Sequence, residues 1–182
     1  MRQLDLRCLY YNSGAFGFER GVETHSVGWI CEDDPSLRPE ARSLTRQISK
    51  PAGPELSRLL AKAATELLPG PVWVMPKSHW AFELDFGGKA WMAAALRELT
   101  IDPALLQPLT TGDPIEFSPG EIPHLARFAE QLLTNLAGSD FAVAFPGKPV
   151  VCTLHHHKQI WWTTTDLGLL ENLRQLAASS PV

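Results

Sequence analysis

The sequence predicts an α+β fold, in which a mainly antiparallel sheet of six or seven strands carries helices packed largely on one face. Stretches of alternating apolar and polar residues are typical of half-buried strands, and apolar residues spaced three or four positions apart are typical of amphipathic helices. Several predicted strands follow one another through short turns and do not alternate strictly with helices, which favours antiparallel pairing.

Length and composition suit a globular domain. The chain has 182 residues, of which 45% are apolar, and this excludes low-complexity disorder. A chain of this length buries about 70% of its extended surface and needs neither disulfides nor a metal ion to hold a core. We expect a single domain over 1–182, and the turn-rich stretch 107–119 is where two subdomains would divide.

The sequence also predicts a cytoplasmic protein that does not contact a membrane. Residues 4–7 alternate between apolar and charged side chains, unlike the start of a signal peptide. The longest apolar run, 90–96, is far shorter than the ~18–20 residues of a membrane span. Cys8, Cys31 and Cys152 are odd in number and widely spaced, which favours reduced thiols.

The first third of the chain predicts two strands and a helix. Alternation over 4–10 predicts the first strand, and 22–31 is expected to form the second. From Pro35 onward, apolar residues recur at helical spacing, which predicts a helix that ends before the breaker sequence 51–54. The apolar stripe of this helix consists of Leu37, Ala41, Leu44 and Ile48.

A helix and a hairpin are predicted next. Pro54 lies in the first turn of a helix that ends at the breaker sequence 69–71. Segments 72–75 and 79–86 are then expected to pair as a hairpin, because apolar side chains alternate along 79–86.

Three more helical segments follow along the chain. Residues 89–99 are rich in alanine, and Asp102 has the character of an N-cap for a short helical turn. Ser118 and Glu121 have the spacing of a capping box, with the regular helix expected to begin near residue 122.

The last third predicts three strands, 141–145, 150–155 and 159–164, and a final helix capped by Asp166. One internal similarity concerns the two helices that precede predicted hairpins. Leu56, Arg58, Thr65 and Leu67 recur at constant spacing as Leu125, Arg127, Thr134 and Leu136. This match fits either a duplicated helix–hairpin–helix unit or chance similarity between short amphipathic helices.

The tract of three consecutive histidines, 155–157, has two interpretations. On an extended strand, His155 and His157 would share a face and could ligate one metal ion such as zinc, with His156 pointing away. The third ligand would then come from the predicted hairpin, where the candidates are His79, Glu83 and Asp85. Alternatively, the apolar alternation shifts phase near this tract, which favours a tight turn at 156–158 that carries exposed histidines and no cofactor.

Two further features predict binding surfaces. Trp161 and Trp162 are adjacent in a predicted strand, so one of them faces outward unless both faces of the sheet are covered. Arg38, Arg42 and Arg46 recur every fourth residue and would form a basic ridge on the first helix. Such a ridge fits either a solvated helix face or an anionic or protein partner, and the net charge of −4 argues against nucleic acid.

No complete catalytic motif occurs in the sequence. The nucleophile elbow, the paired Cys-x-x-Cys, the His-Glu-x-x-His helix and the dinucleotide glycine fingerprint are all absent. We therefore expect a binding or protein-interaction domain without catalysis, whose partner is another protein or a second copy in a homodimer. The alternative is a metal-dependent hydrolase that uses His155 and His157.

Overall fold

The computed structural model describes residues 2–3, 18–19, 22–23, 44–48, 53–85, 90–106, 114–146, 148, 150–164 and 166–179. Their strands are β1 (Arg2–Gln3), β2 (Phe18–Glu19), β3 (Val22–Glu23), β4 (Leu44–Ile48), β5 (Val72–Pro76), β6 (Ile115–Phe117), β7 (Phe141–Ala144), β8 (Val150–His155) and β9 (Gln159–Thr164). Their helices are α1 (Gly53–Glu66), α2 (Trp80–Asp85), α3 (Ala90–Glu98), α4 (Pro103–Leu106), α5 (Ile122–Asn135) and α6 (Leu167–Ser179), with a 3-10 turn at Pro119–Glu121.

The main sheet is antiparallel throughout. Strands β6, β5, β7, β8 and β9 lie side by side in that order, β1 pairs with β6 at one edge, and β4 pairs with β9 at the other. Strands β2 and β3 pair separately. The predicted α+β class and the antiparallel pairing are confirmed.

One face of the sheet carries the core together with α1, α5 and α6. The apolar stripes of α1 and α5 meet each other above the sheet, because residues three and four apart lie on one face of a helix. Phe128 of α5 stacks on Phe117 of β6 with ring centroids 6.3 Å apart, and it meets Phe141 of β7 edge-on at 6.5 Å. These rings join the helices to the sheet.

The opposite face of the sheet is also buried at its centre. Met75, Ala142, Ala144 and Val151 form a separate apolar cluster, each at most 2% exposed, with Trp73 packed against it. Since alternate strand residues point to opposite faces, β7 and β8 are apolar along nearly their whole length.

The predicted strand over 79–86 is wrong, because residues 80–85 form α2. His79 begins this helix: its ring Nδ1 accepts the Phe82 N–H at 3.0 Å, and its carbonyl accepts the Glu83 N–H at 3.2 Å. Trp80 and Glu83, three residues apart, both turn inward and are fully buried. β5 is therefore followed by a helix, so the described residues 72–85 do not form the hairpin that a duplicated helix–hairpin–helix unit requires.

The predicted helix after Pro35 is wrong over residues 44–48, which form β4 and pair with β9 in continuous register. The apolar residues Leu44 and Ile48 are four apart and match helical spacing, but pairing with β9 satisfies the backbone of the segment as a strand. The rest of that helix, residues 35–43, lies outside the described residues. So do residues 4–10 of the first predicted strand, 24–31 of the second, and the greater part, 107–113, of the proposed subdomain boundary.

The predicted helix starts are confirmed where the chain is described. Asp166 Oδ1 accepts the Leu169 N–H at 2.9 Å, as an N-cap does. The Glu121 carboxylate accepts the Ser118 N–H at 2.9 Å and the Ser118 hydroxyl at 2.8 Å. The sequence also predicts the bounds of β8 and β9.

The end of α3 contains a residue in an unfavourable backbone conformation. Ile101 N–H donates to the Leu96 carbonyl and Thr100 N–H to the Arg97 carbonyl, each at 2.9 Å, which is the pattern of a Schellman motif. Thr100 has φ of 59°, a left-handed conformation that glycine adopts freely and a β-branched residue resists.

Thr100→Gly is therefore expected to raise the free energy of unfolding by about 0.5–1 kcal/mol, since relief of strain exceeds the added freedom of the unfolded chain. Urea denaturation measures this change. Thr65→Gly, inside α1, is the matched control and should lower stability. A loss of stability in Thr100→Gly equal to that of Thr65→Gly would show that the αL position is not strained.

Candidate functional site

The candidate site lies at one end of the sheet, where β5 and β8 end and β7 and β9 begin. Pro76 pairs with Phe141, and the Lys77 N–H continues the ladder by donating to the Asp140 carbonyl at 2.9 Å. The turn 156–158 joins β8 to β9 at the same end. We use the name histidine site for His155, His156, His157, Asp140 and Trp161.

The turn after β8 is tight, as the phase shift in the sequence predicts. His155 pairs with Gln159, and the Lys158 N–H donates to the His155 carbonyl at 3.0 Å. Lys158 takes the left-handed conformation, with φ of 59°, that commonly closes a three-residue hairpin loop. The predicted turn at 156–158 is confirmed.

The turn nevertheless gathers all three histidines. Their ring centroids are 4.2 Å apart for His155 and His156, 4.2 Å for His156 and His157, and 4.8 Å for His155 and His157. One ligand atom from each lies within 4.8 Å of the other two. The expectation that His156 points away from its neighbours is wrong, because alternation holds along a strand and fails where the backbone turns.

Asp140 fixes the orientation of His156. Its Oδ1 accepts the His156 backbone N–H at 3.1 Å and lies 2.8 Å from the ring Nδ1 of the same residue. A carboxylate oxygen accepts hydrogen bonds, so this contact favours the tautomer of His156 with the proton on Nδ1. In that tautomer the lone pair of His156 is on Nε2, which is the arrangement in which a carboxylate supports a metal-binding histidine.

His155 is held on three sides. Its ring stacks on the Trp161 indole with centroids 4.1 Å apart, and its Nδ1 accepts the His157 N–H at 3.1 Å. The proton of the neutral ring is therefore on Nε2, which lies 3.9 Å from Asp140 Oδ2. Burial lowers the pKa of His155, and the negative charge of Asp140 opposes that shift.

Lys77 borders the histidine site at the end of β5. Burial lowers the pKa of its ammonium group, while the charge of Asp140 acts in the opposite direction. Its positive charge also contributes to lowering the pKa of His155. That charge, together with burial, favours the neutral form of the His155 imidazole, which is the form that binds a metal ion.

The residues proposed as a third metal ligand lie outside the histidine cluster. Among the described residues, the group of three or more side chains close enough to share one metal ion consists of the three histidines. His79 begins α2, and Glu83 bonds to Ser78 and Ser139. Asp85 is exposed at the end of α2. The structure thus brings His155 and His157 together with His156 and Asp140. Sequence reasoning had not placed His156 or Asp140 in the site.

The two tryptophans take opposite faces of β9. Trp162 is fully buried in the core, where it stacks on Phe145 with centroids 6.0 Å apart, so it is a core residue and not part of a binding surface. Its indole Nε1 is a buried donor without a hydrogen-bond partner, alone in this respect among the described side chains. Trp161 is half-buried, and its own Nε1 donates to Gln159 at 3.0 Å.

The predicted basic ridge is not helical at Arg46, which lies in β4 opposite Trp162 in the strand register. Arg38 and Arg42 lie outside the described residues. The core thiol Cys152 is completely buried, and burial raises its pKa above the usual range. Such a thiol does not act as a nucleophile at the sheet end.

No protein-family model, curated protein or solved structure matches the chain. In the described part of the chain, no helix combines the length and apolar character needed to cross a membrane. Function therefore has to be inferred from the chemistry of the histidine site.

Proposed function

We propose that the protein is a binding domain without catalysis of its own, and that it binds one divalent transition-metal ion at the histidine site. The observation that carries this proposal is the convergence of three imidazoles, with ligand atoms within 4.8 Å of one another. Imidazole nitrogen suits zinc, copper, nickel and iron, whereas calcium and magnesium prefer oxygen ligands. Zinc is therefore the first ion to test.

Closure of the three rings around an ion requires small movements. Zinc binds imidazole nitrogen at about 2.0–2.1 Å, which puts two ligands of a tetrahedral site about 3.4 Å apart. His157 is exposed on the turn, so its ring has room to move, while the half-buried ring of His156 keeps its contact with Asp140. If the ion binds Nδ1 of His155, it displaces the hydrogen bond from the His157 N–H. If it binds Nε2, it takes the place of the proton there.

A binding role is favoured over catalysis by the way nearby groups are already used. Asp140 Oδ1 holds His156, the Glu83 carboxylate holds two serine hydroxyls, and the Cys152 thiol is in the core. A hydrolytic site needs a general base that remains available to an attacking water, and these three groups already hold other residues or lie in the core.

Metal analysis of tag-free protein tests the proposal. We expect one zinc or cobalt ion per chain, with the cobalt form showing the visible absorption of tetrahedral coordination, and no binding of magnesium or calcium at comparable concentration. Zinc at about 100 times its Kd should also stabilise the fold by about 2.7 kcal/mol. Failure of zinc, cobalt, nickel and copper all to bind would overturn the proposal.

A metal-dependent hydrolase that uses His155 and His157 is the second candidate. It is favoured by the same three nitrogens, because three protein ligands leave one position of tetrahedral zinc open to water, whose pKa then falls to about 7. Hydrolysis of an activated ester by the zinc-loaded protein distinguishes the two. A binding domain gives no rate above that of free zinc, and metal-dependent turnover would favour the hydrolase.

The proposal keeps the cytoplasmic location that the three cysteines predict and a macromolecular partner that is another protein or a second copy of the chain. Trp161 supports such a contact, since half-buried tryptophans often anchor protein interfaces. The net charge of −4 still argues against nucleic acid.

A further inference from the structure

A buried carboxylate lies behind the histidine site. Glu83, on α2, is 0% exposed. Its Oε1 accepts the Ser78 hydroxyl at 2.7 Å, and its Oε2 accepts the Ser139 hydroxyl at 2.9 Å. An ionisable group buried to this extent is unfavourable unless its hydrogen bonds are satisfied, so the two serines stabilise Glu83 where it lies.

These hydrogen bonds connect three segments of the chain at the end of the sheet. Ser78 follows β5, Ser139 precedes β7, and Glu83 joins them from α2. Ser139 is itself buried and directly precedes Asp140, the residue that holds His156. The backbone hydrogen bond from Lys77 to Asp140 fixes the same segment on its other side.

We propose that Glu83 and Ser139 are positioning residues that fix Asp140, so that His156 keeps its proton on Nδ1 and offers Nε2 to the metal ion. The inference rests on the proposed metal-binding function and assigns a role to a carboxylate that is itself too enclosed to reach the ion. Groups that orient a metal-binding histidine through a hydrogen bond typically affect affinity about 10–100-fold, although they do not touch the metal.

The chain offers a matched pair of variants for the test. Ser139→Ala and Ser78→Ala each remove one hydroxyl from the same carboxylate, but only Ser139 adjoins Asp140. Two quantities are measured: the tautomer of His156 in metal-free protein, from ¹⁵N chemical shifts of the ring, and the Kd for zinc. The tautomer reports ring orientation, which a general loss of stability does not alter.

Wild-type His156 should be protonated on Nδ1. Ser139→Ala should give a mixture of tautomers and weaken zinc binding by about tenfold, whereas Ser78→Ala should leave the tautomer unchanged and the Kd within about twofold. Equal effects of the two variants, or no effect of either, would overturn the inference. An Nε2-protonated His156 in the wild-type protein would overturn it without any variant, even if Ser139→Ala does not fold.

The failure of the proposed function looks different from the failure of this inference. If the wild-type protein binds no metal while its His156 tautomer follows the pattern above, the inference about the positioning of His156 stands and the proposed metal binding is wrong. If the wild-type protein binds zinc and the two serine variants behave alike, the metal site stands and Ser139 has only a structural role.

Discussion

Replacing His155 and His157 together by alanine is expected to abolish zinc binding. The double variant leaves His156 as the one imidazole at the site, and a single imidazole does not hold zinc against water in a site that needs three or four ligands. Removing a group outside the coordination shell typically weakens metal binding about 10–100-fold, and the double variant should lose more affinity than that. Calorimetric titration with zinc measures it.

His124→Ala is the matched control for that experiment, because His124 is an exposed histidine on α5, outside the histidine cluster. The control should bind zinc as the wild-type protein does. Since His155 stacks on Trp161, the melting temperature of the double variant must also be compared, and His157→Ala alone should weaken binding with the fold unchanged. Wild-type affinity in the double variant would place the bound ion elsewhere in the chain.

Replacing Trp162 by alanine is expected to lower the free energy of unfolding by about 3–5 kcal/mol. Trp162 is fully buried at the centre of the core and stacks on Phe145. Its Nε1 forms no hydrogen bond with a described residue, so its contribution comes from buried area and packing and not from a polar contact. Denaturation in guanidinium, extrapolated to water, gives the loss.

Two companion variants separate packing from polarity. Trp162→Phe retains most of the ring and removes the unpaired donor, so it should cost clearly less than Trp162→Ala. Trp161→Ala is the control on the other face of β9, where the indole is half-buried, and it should also cost less. A loss below about 1 kcal/mol for Trp162→Ala would be incompatible with a fully buried tryptophan in a close-packed core.

The sequence contained more information about the histidine site than alternation alone extracts. Strands 141–145 and 150–155 were predictable, and the register that pairs Phe141 with Leu154 puts Asp140 opposite His155. Asp140 was therefore reachable by extending the hairpin one residue beyond its strands. The convergence of His156 with its neighbours could not be predicted in this way, because it depends on the dihedral angles of a turn.

Two segments show why periodicity fails in short elements. Residues 80–85 alternate like a strand, yet the His79 cap and the inward-facing pair Trp80 and Glu83 make them a helix. Residues 44–48 match a helical stripe, yet β9 provides a pairing edge. Five or six residues are too few for periodicity to decide the element, and contacts with distant segments decide the outcome.

The burial of β7 and β8 on both faces has a consequence for how the molecule opens. Their central amides, such as those of Val143 and Cys152, are paired within the sheet and covered above and below by apolar side chains. We therefore expect hydrogen exchange at these positions to require unfolding of the whole domain, and the turn at 156–158 to open locally. His156 and His157 thus lie at the tip of a hairpin whose strand β8 is expected to exchange its amides slowly.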